Sequence, residues 1–323
     1  MMKVIKYEKK YQSSWDDFIS SSRNGTFLLN RNFIEYHRDK FIDYSLMIVD
    51  DNNNILALLP SSLKDKSSVI SHEGLTYGGL IVSIKSKLDD TINYFKFFLK
   101  FLDNNKIKFL EYKCIPPMYH SDSYFDDQYV MFLLDAKITR IDTSLTLDLS
   151  SNFDFQKRRK RSIKKSKKNE VVIKKSSSFK EFWLDILEPN LLLKHNVKPV
   201  HSLKEIEYLH NFFPNRILQY NAELNGEIIA GTTLFICDNV VHAQYISSND
   251  HGKKIGAIDH LFEYLINEKF KNMNYFSFGI CNENQGKKIN KGLLDWKESF
   301  GSKVFLNSFY VVDTNKFNLL NDL

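Results

Sequence analysis

The residues whose types and spacing suit chemistry concentrate between Val240 and Gly301. A strand-like run, VVHAQYISS, leads into NDHGKKIGA, and IDHLFEYLINEKFK follows as an amphipathic helix with Ile258, Leu261, Phe262, Leu265 and Ile266 on one face. A second strand-like run, YFSFGI, comes next. Strand, glycine-rich turn, helix, strand is an anion-binding order. Glycines let backbone amides approach a phosphate, and a helix N-terminus supplies positive potential. Gly252 and Gly256 are placed for this, and Lys253 and Lys254 add charge at the same end. The spacing predicts a diphosphate-bearing cofactor at the start of a helix at Ala257, against the plainer reading that the glycines only turn the chain.

The titratable side chains nearby are few. His242 and Tyr245 lie three apart on one strand, which predicts that they point to opposite faces. Asp259 is a first-turn carboxylate, a position the helix dipole alone explains. Glu283 stands between Asn282 and Asn284, where it either caps a turn or moves protons. Lys297 and Glu298 read as a surface pair of little energetic weight, and Trp296 and Phe300 as packing residues.

Around these residues the chain alternates helices and strands. In the first half Trp15–Ser20 and Thr91–Asn104 read as helices, and MIVDDNNNILALLP as a strand, polar turn and strand. EGLTYGGLIV is a glycine-punctuated loop, and KFLEYKCIP and SLTLDL are strands. In the second half EVVIKKS is a strand and FKEFWLDILEPNLLLKH a helix. Ser202 with Glu205 forms a capping-box pattern. RILQYNAEL, GEIIAGTTLFI and NVVHAQYIS form a meander whose first turn holds Asn225–Gly226. The shared rhythm of the halves suggests a weak internal repeat of two related domains.

The net charge of +6 invites a nucleic-acid reading, but Lys157 to Lys168 carries nine Lys or Arg and no acid, and the remainder of the chain is −3. A basic surface all over the molecule is excluded. The run reads as part of one helix over 154–168, with Phe155 and Ile163 its few apolar contacts. Three cysteines give no disulfide framework, no Cys/His cluster has metal-ligand spacing, and no apolar stretch is long enough to span a bilayer. The expectation is a cytoplasmic protein without a metal.

Lys253-Lys254-Ile255-Gly256-Ala257-Ile258 resembles the Q/R-x-x-G-x-G/A turn with which the GNAT superfamily of N-acyltransferases cradles the pyrophosphate of CoA. The central glycine matches; Lys and Ile depart from the pattern at its ends. With YFSFGICNENQGKKINKGLLDWKESFG, the chain more specifically resembles the FemABX-like tandem-GNAT group and its bacterial nucleotide-sugar acyltransferase branch. The resemblance implies an α/β (α+β) protein of two GNAT-like domains in tandem, each a mixed, mostly antiparallel sheet flanked by helices. The expected bounds are 1–150, a basic interdomain helix at 151–170, and 171–323.

It further implies acyl-CoA as donor in the C-terminal domain and an acceptor in the cleft between domains. Ile246, Ser247, Ser248, Gly252, Lys253, Lys254, Ile255, Gly256, Ala257 and Asn290 would bind the cofactor. Acyl transfer to an amine needs a proton acceptor and polarisation of the carbonyl. His242, Tyr245, Glu283 and Asp259 are the catalytic candidates, and Tyr77, Gly78, Asn282, Asn284 and Lys297 the substrate-binding ones. In GNAT-type sites two central parallel strands splay apart, the first being Val240 to Ser248 here. The expected function is transfer of an acyl group to the amine of a nucleotide-linked amino sugar for surface-polysaccharide synthesis. The alternatives are an aminoacyl-tRNA-dependent peptidoglycan-precursor transferase and a non-enzymatic nucleic-acid binder docking through the basic run; nucleic acid is the less expected partner.

Overall fold

The structure is a computed structural model that describes residues 2–122 and 124–321, His195 by its backbone alone. The chain divides into two units that are not consecutive blocks. One comprises 1–142, 282–288 and 305–323, the other 143–281 and 289–304. The last piece rejoins the first unit because a late strand pairs with an early one, and the basic helix falls inside the second unit.

In the first unit, strands β1 (Lys3–Lys6), β2 (Leu46–Val49), β3 (Ile55–Leu59) and β6 (Ile81–Val82) form an antiparallel sheet in the order β1-β2-β3-β6. Strands β4 (Ser62–Asp65) and β5 (Ser68–Ile70) pair antiparallel, and β5 runs parallel to β7 (Phe109–Lys113). The crossover between β5 and β7 contains the helix α1 (Leu88–Asn104), whose Tyr94, Phe95, Phe98, Leu99 and Leu102 enter the core.

Two long strands, β8 (Lys137–Asp148) and β14 (Lys303–Asp313), carry residues of both units. Phe309–Asp313 of β14 pair with β7 in the first unit, and Ser144–Asp148 of β8 pair in the second.

The second unit opens with α2 (Lys157–Lys168), which begins three residues later than the sequence suggests. Strand β9 (Val172–Ser176) follows, then a π-helical stretch, Phe182–Leu187, running into α3 (Glu188–His195). Helix α4 (Leu203–Phe212) starts with the expected capping box, Ser202 Oγ accepting from the Glu205 amide and Glu205 Oε2 from the Ser202 amide. Strands β10 (Ile217–Leu224), β11 (Glu227–Ile236) and β12 (Val240–Ser248) form the meander, with Asn225 and Gly226 both at positive φ. Next come α5 (Asp250–Ile255), α6 (Ala257–Tyr264), β13 (Tyr275–Ile280) and α7 (Lys291–Glu298). The sheet order is β9-β10-β11-β12-β13-β8, antiparallel except for β12 with β13.

The second unit is thus one mixed, mostly antiparallel sheet and the first spreads its strands over two sheets; each has one parallel pair bridged by a helical crossover, the GNAT-like architecture. In the second unit Leu261, Phe262, Leu265 and Ile266 pack with Leu234, Val241, Phe276 and Phe278. Burying each such side chain contributes about 1.5–3 kcal/mol, which holds α6 on the sheet.

Candidate functional site

The parallel pair in the second unit is short. Val240, Val241 and His242 pair with Tyr275, Phe276 and Ser277, and there the register between these strands ends. Strand β12 continues to Ser248 and β13 to Ile280, so the two part just beyond His242 and Ser277. This is the splay the sequence leads one to expect. Beyond that point β12 pairs with β11 alone, and the Tyr245 carbonyl accepts from Thr232 Oγ1 at 2.8 Å.

His242 stands where the strands part. It is half-buried, and its Nδ1 lies 3.3 Å from Ser277 Oγ, which is 3.2 Å from Ser144 Oγ and accepts from the Gly279 amide at 3.2 Å. Gly279 has φ +71, and a Cβ there would sit 3.3 Å from His242 Cε1, so this glycine both turns the end of β13 and leaves room for the ring. Burial, reinforced by the Lys297 ammonium nearby, lowers the imidazole pKa to about 4. His242 is therefore neutral at pH 7.

Lys297 does not form the surface pair expected with Glu298. It is 3% exposed and donates to the carbonyls of Gly279 (2.9 Å) and Ile280 (2.7 Å) at the end of β13. Burial lowers its pKa to about 8, with Cys281 opposing the shift. Two of its three ammonium protons are engaged by these carbonyls.

Tyr245 corrects a second expectation. Strand β12 bulges at Gln244. Tyr245 pairs with Thr233 and His242 with Phe235, two residues apart on β11, so both point to the same face of the sheet. The Tyr245 hydroxyl is nevertheless turned into packing: it accepts from the His201 amide (3.0 Å), lies 2.6 Å from His201 Nδ1, and its ring meets Trp183 edge-on.

The glycine turn is built differently from the sequence picture. The amphipathic helix α6 does start at Ala257, but a short helix, α5, precedes it from Asp250, with Asn249 Oδ1 capping the Gly252 amide. Gly256 then breaks it at φ +79 before α6. A Cβ on Gly256 would lie 2.2 Å from Ser162 Oγ and 2.8 Å from the Ser162 carbonyl oxygen; one on Gly252 would lie 2.4 Å from the Ile229 carbonyl oxygen. Both glycines therefore have a packing reason, and at Gly256 the near neighbour is the basic helix. Asp259 is likewise engaged: 3% exposed, it accepts from Arg159 Nη1 at 2.6 and 2.5 Å and from Trp296 Nε1 at 3.1 Å. It anchors α2 to α6 rather than standing free as a base.

The other candidates fall as follows. Ile246, Ile255 and Ala257 pack in the core of the second unit. Ser247 Oγ accepts from Asn190 Nδ2 and Ser248 Oγ donates to the Ile229 carbonyl. Lys253 and Lys254 are exposed, Lys253 paired with Asp250 at 2.7 Å. Asn290 caps α7, accepting from the Leu293 amide. Glu283 pairs with Lys288 at 2.8 Å, Asn282 Nδ2 donates to the Gly286 carbonyl, and Asn284 sits at φ 50 in the same turn. In the first unit Tyr77 is 3% exposed with its hydroxyl on Thr26 Oγ1, and a Cβ on Gly78 would lie 2.1 Å from the Ser71 carbonyl oxygen; both are packing residues of that unit. His242 and Lys297 are the predicted residues that come together.

Ser144, Ser277 and Gly279 escaped the sequence reading. Alternation within SLTLDL and YFSFGI places the two serines on one face, but only strand pairing shows that the faces coincide. The basic helix is only partly a solvated face. Arg159, Ile163 and Ser166 hold it down, while Lys157, Arg161, Lys164 and Lys168 form an exposed stripe with no ion pair among the described residues. Its spacing of four, three and four residues keeps these cations on one side of the helix.

No protein-family model matches the chain, and no curated protein matches it in sequence. Solved structures do. FemX superposes with a TM-score of 0.68 at 11% identity, covering 99% of this chain and 100% of FemX. The C-terminal domain of a putative lysylphosphatidylglycerol synthetase from Agrobacterium fabrum gives 0.58 at 10% identity, covering 94% of this chain and 91% of its own. A tandem GNAT protein from the clavulanic acid biosynthesis pathway gives 0.53 at 9% identity, covering 97% of this chain and 99% of its own. At such identities the likeness is one of fold, and the chain has the tandem GNAT-like fold. No helix among the described residues is long and apolar enough to cross a membrane.

Proposed function

We propose that the chain is an N-acyltransferase whose reaction takes place where β12 and β13 part. The observation that carries this reading is the pair His242 and Lys297 at the splay, one neutral at pH 7 and the other a buried cation held on the carbonyls that end β13. An amine nitrogen attacks the acyl carbonyl carbon, and the carbonyl electrons move to oxygen. Lys297 donates to that oxyanion, while His242 takes the proton the nitrogen sheds as its acidity rises on forming the C–N bond. The carrier leaves as the carbonyl re-forms. The donor consistent with the sequence resemblance is acyl-CoA, and the acceptor the amine of a nucleotide-linked amino sugar.

A second reading has its own support. The turn at Gly256 is filled by Ser162 rather than open to a diphosphate, and the exposed cations of α2, without an ion pair among the described residues, follow one another at about 4.5–6 Å along one side of the helix, a row of positive charge that suits a polyphosphate backbone. Both favour an aminoacyl group delivered as an RNA ester over a CoA thioester.

Product formation distinguishes them. Acyl-CoAs with nucleotide-linked amino sugars, and aminoacyl-tRNA with amine acceptors, are followed by mass spectrometry in parallel. An amide product in either arm that falls about 100-fold or more in His242→Gln supports the chemistry. An unaltered rate in both His242→Gln and Lys297→Met would refute it.

A further inference from the structure

The connection from α3 to α4 exposes apolar side chains that the fold does not use. Leu193 is 85% exposed, Val200 75%, Leu192 58% and Val197 49%. Single exposed apolar residues are ordinary; four within nine positions form a patch. The patch is held out from both ends. Asn190 Nδ2 ties α3 to Ser247 Oγ and the Ser248 carbonyl at 2.9 Å each, and the His201 amide and the capping box fix the start of α4. Between these anchors Asn196 turns the chain at φ 53.

Its charges are of one sign. Lys194 and Lys198 interleave with the apolar residues and are exposed. Lys194 lies against Lys253, and burial followed by this neighbouring ammonium lowers its pKa. Asp250 is the acid facing the pair and is engaged by Lys253 at 2.7 Å. Exposed Lys254 comes next, and Lys165 Nζ reaches its carbonyl at 2.8 Å. A short apolar tip beside lysines that outnumber the one acid facing them is complementary to acyl chains beneath anionic headgroups.

We propose that residues 192–200 dock the second unit on an anionic lipid bilayer, the leucines and valines entering the headgroup boundary and Lys194, Lys198 and Lys254 meeting lipid phosphates. This association is peripheral, and it does not rest on the acyl-transfer reading.

The test is co-sedimentation of the full chain with vesicles of phosphatidylcholine alone and of phosphatidylcholine mixed with phosphatidylglycerol. Binding to the mixed vesicles is expected, weakening in high salt, with little to the neutral ones. Losing each lysine should lower binding about fivefold, so Lys194→Gln with Lys198→Gln should lower it about thirtyfold. Leu193→Asp with Val200→Asp should abolish it with the melting temperature unchanged, because both side chains already face solvent. Equal binding to both vesicles, unchanged binding in these variants, or retention on RNA with none on vesicles would each overturn the proposal.

Discussion

Replacing Gly256 by alanine tests how the turn between α5 and α6 is built. At φ +79 a non-glycine residue costs about 1–2 kcal/mol. The new Cβ would also lie 2.2 Å from Ser162 Oγ and 2.8 Å from the Ser162 carbonyl oxygen. The hydroxyl can rotate away, but the carbonyl belongs to α2, which is pinned by Arg159 on Asp259. Overpacking of that kind adds about 1–3 kcal/mol. The total, about 2–5 kcal/mol, is a large part of ordinary domain stability. Gly226 is the control: its φ is +85, but nothing lies within 4 Å of its would-be Cβ, so Gly226→Ala meets the backbone cost alone. Urea unfolding followed by tryptophan fluorescence reports the second unit through Trp183 and Trp296. Gly256→Ala should lower the midpoint well beyond Gly226→Ala at unchanged slope. Equal midpoints would refute the close-approach argument and reopen the turn as a ligand cradle.

Three further outcomes follow from the same geometry. Arg159→Ala leaves Asp259 buried and uncompensated and should cost about 3–5 kcal/mol, whereas Arg159→Met with Asp259→Leu should recover most of it in thermal denaturation. Lys297 has its pKa lowered by burial to about 8, against about 10.4 when free. The unfolded chain therefore binds the extra proton between those values, and wild-type stability rises with pH across that window. Lys297→Met should flatten the rise of melting temperature with pH across that window, while turnover is lost; a slope equal to that of the wild type would contradict the shift assigned to burial. His242 is shifted to about 4 from about 6.5, so acidification between those values favours the unfolded state, and His242→Gln should flatten that part of the stability profile.

Local signals carried much of the fold. The Asn225–Gly226 hairpin, the Ser202–Glu205 capping box and the amphipathic α6 rest on interactions within a few residues, and each is where the pattern predicts. The splay was also legible, through the resemblance of the late segment. The bulge at Gln244 was not, because an extra residue in β12 is visible only against its partner β11. It places His242 and Tyr245 on one face although period-2 counting separates them.

Sequence alone determined the chemical inventory: a histidine on a central strand, glycines before a helix, a lysine after Trp296, and a positive charge confined to one run. Which of these meet was a tertiary decision. Asp259 became an anchor because Arg159, one hundred positions earlier, reaches it, and Gly256 became a packing contact because Ser162 lies on it. Lys297 became a buried cation because the end of β13 turns two carbonyls toward it. Residue type sets what a side chain can donate, accept or ionise. Burial and partners, supplied by residues far away in the chain, set what it does.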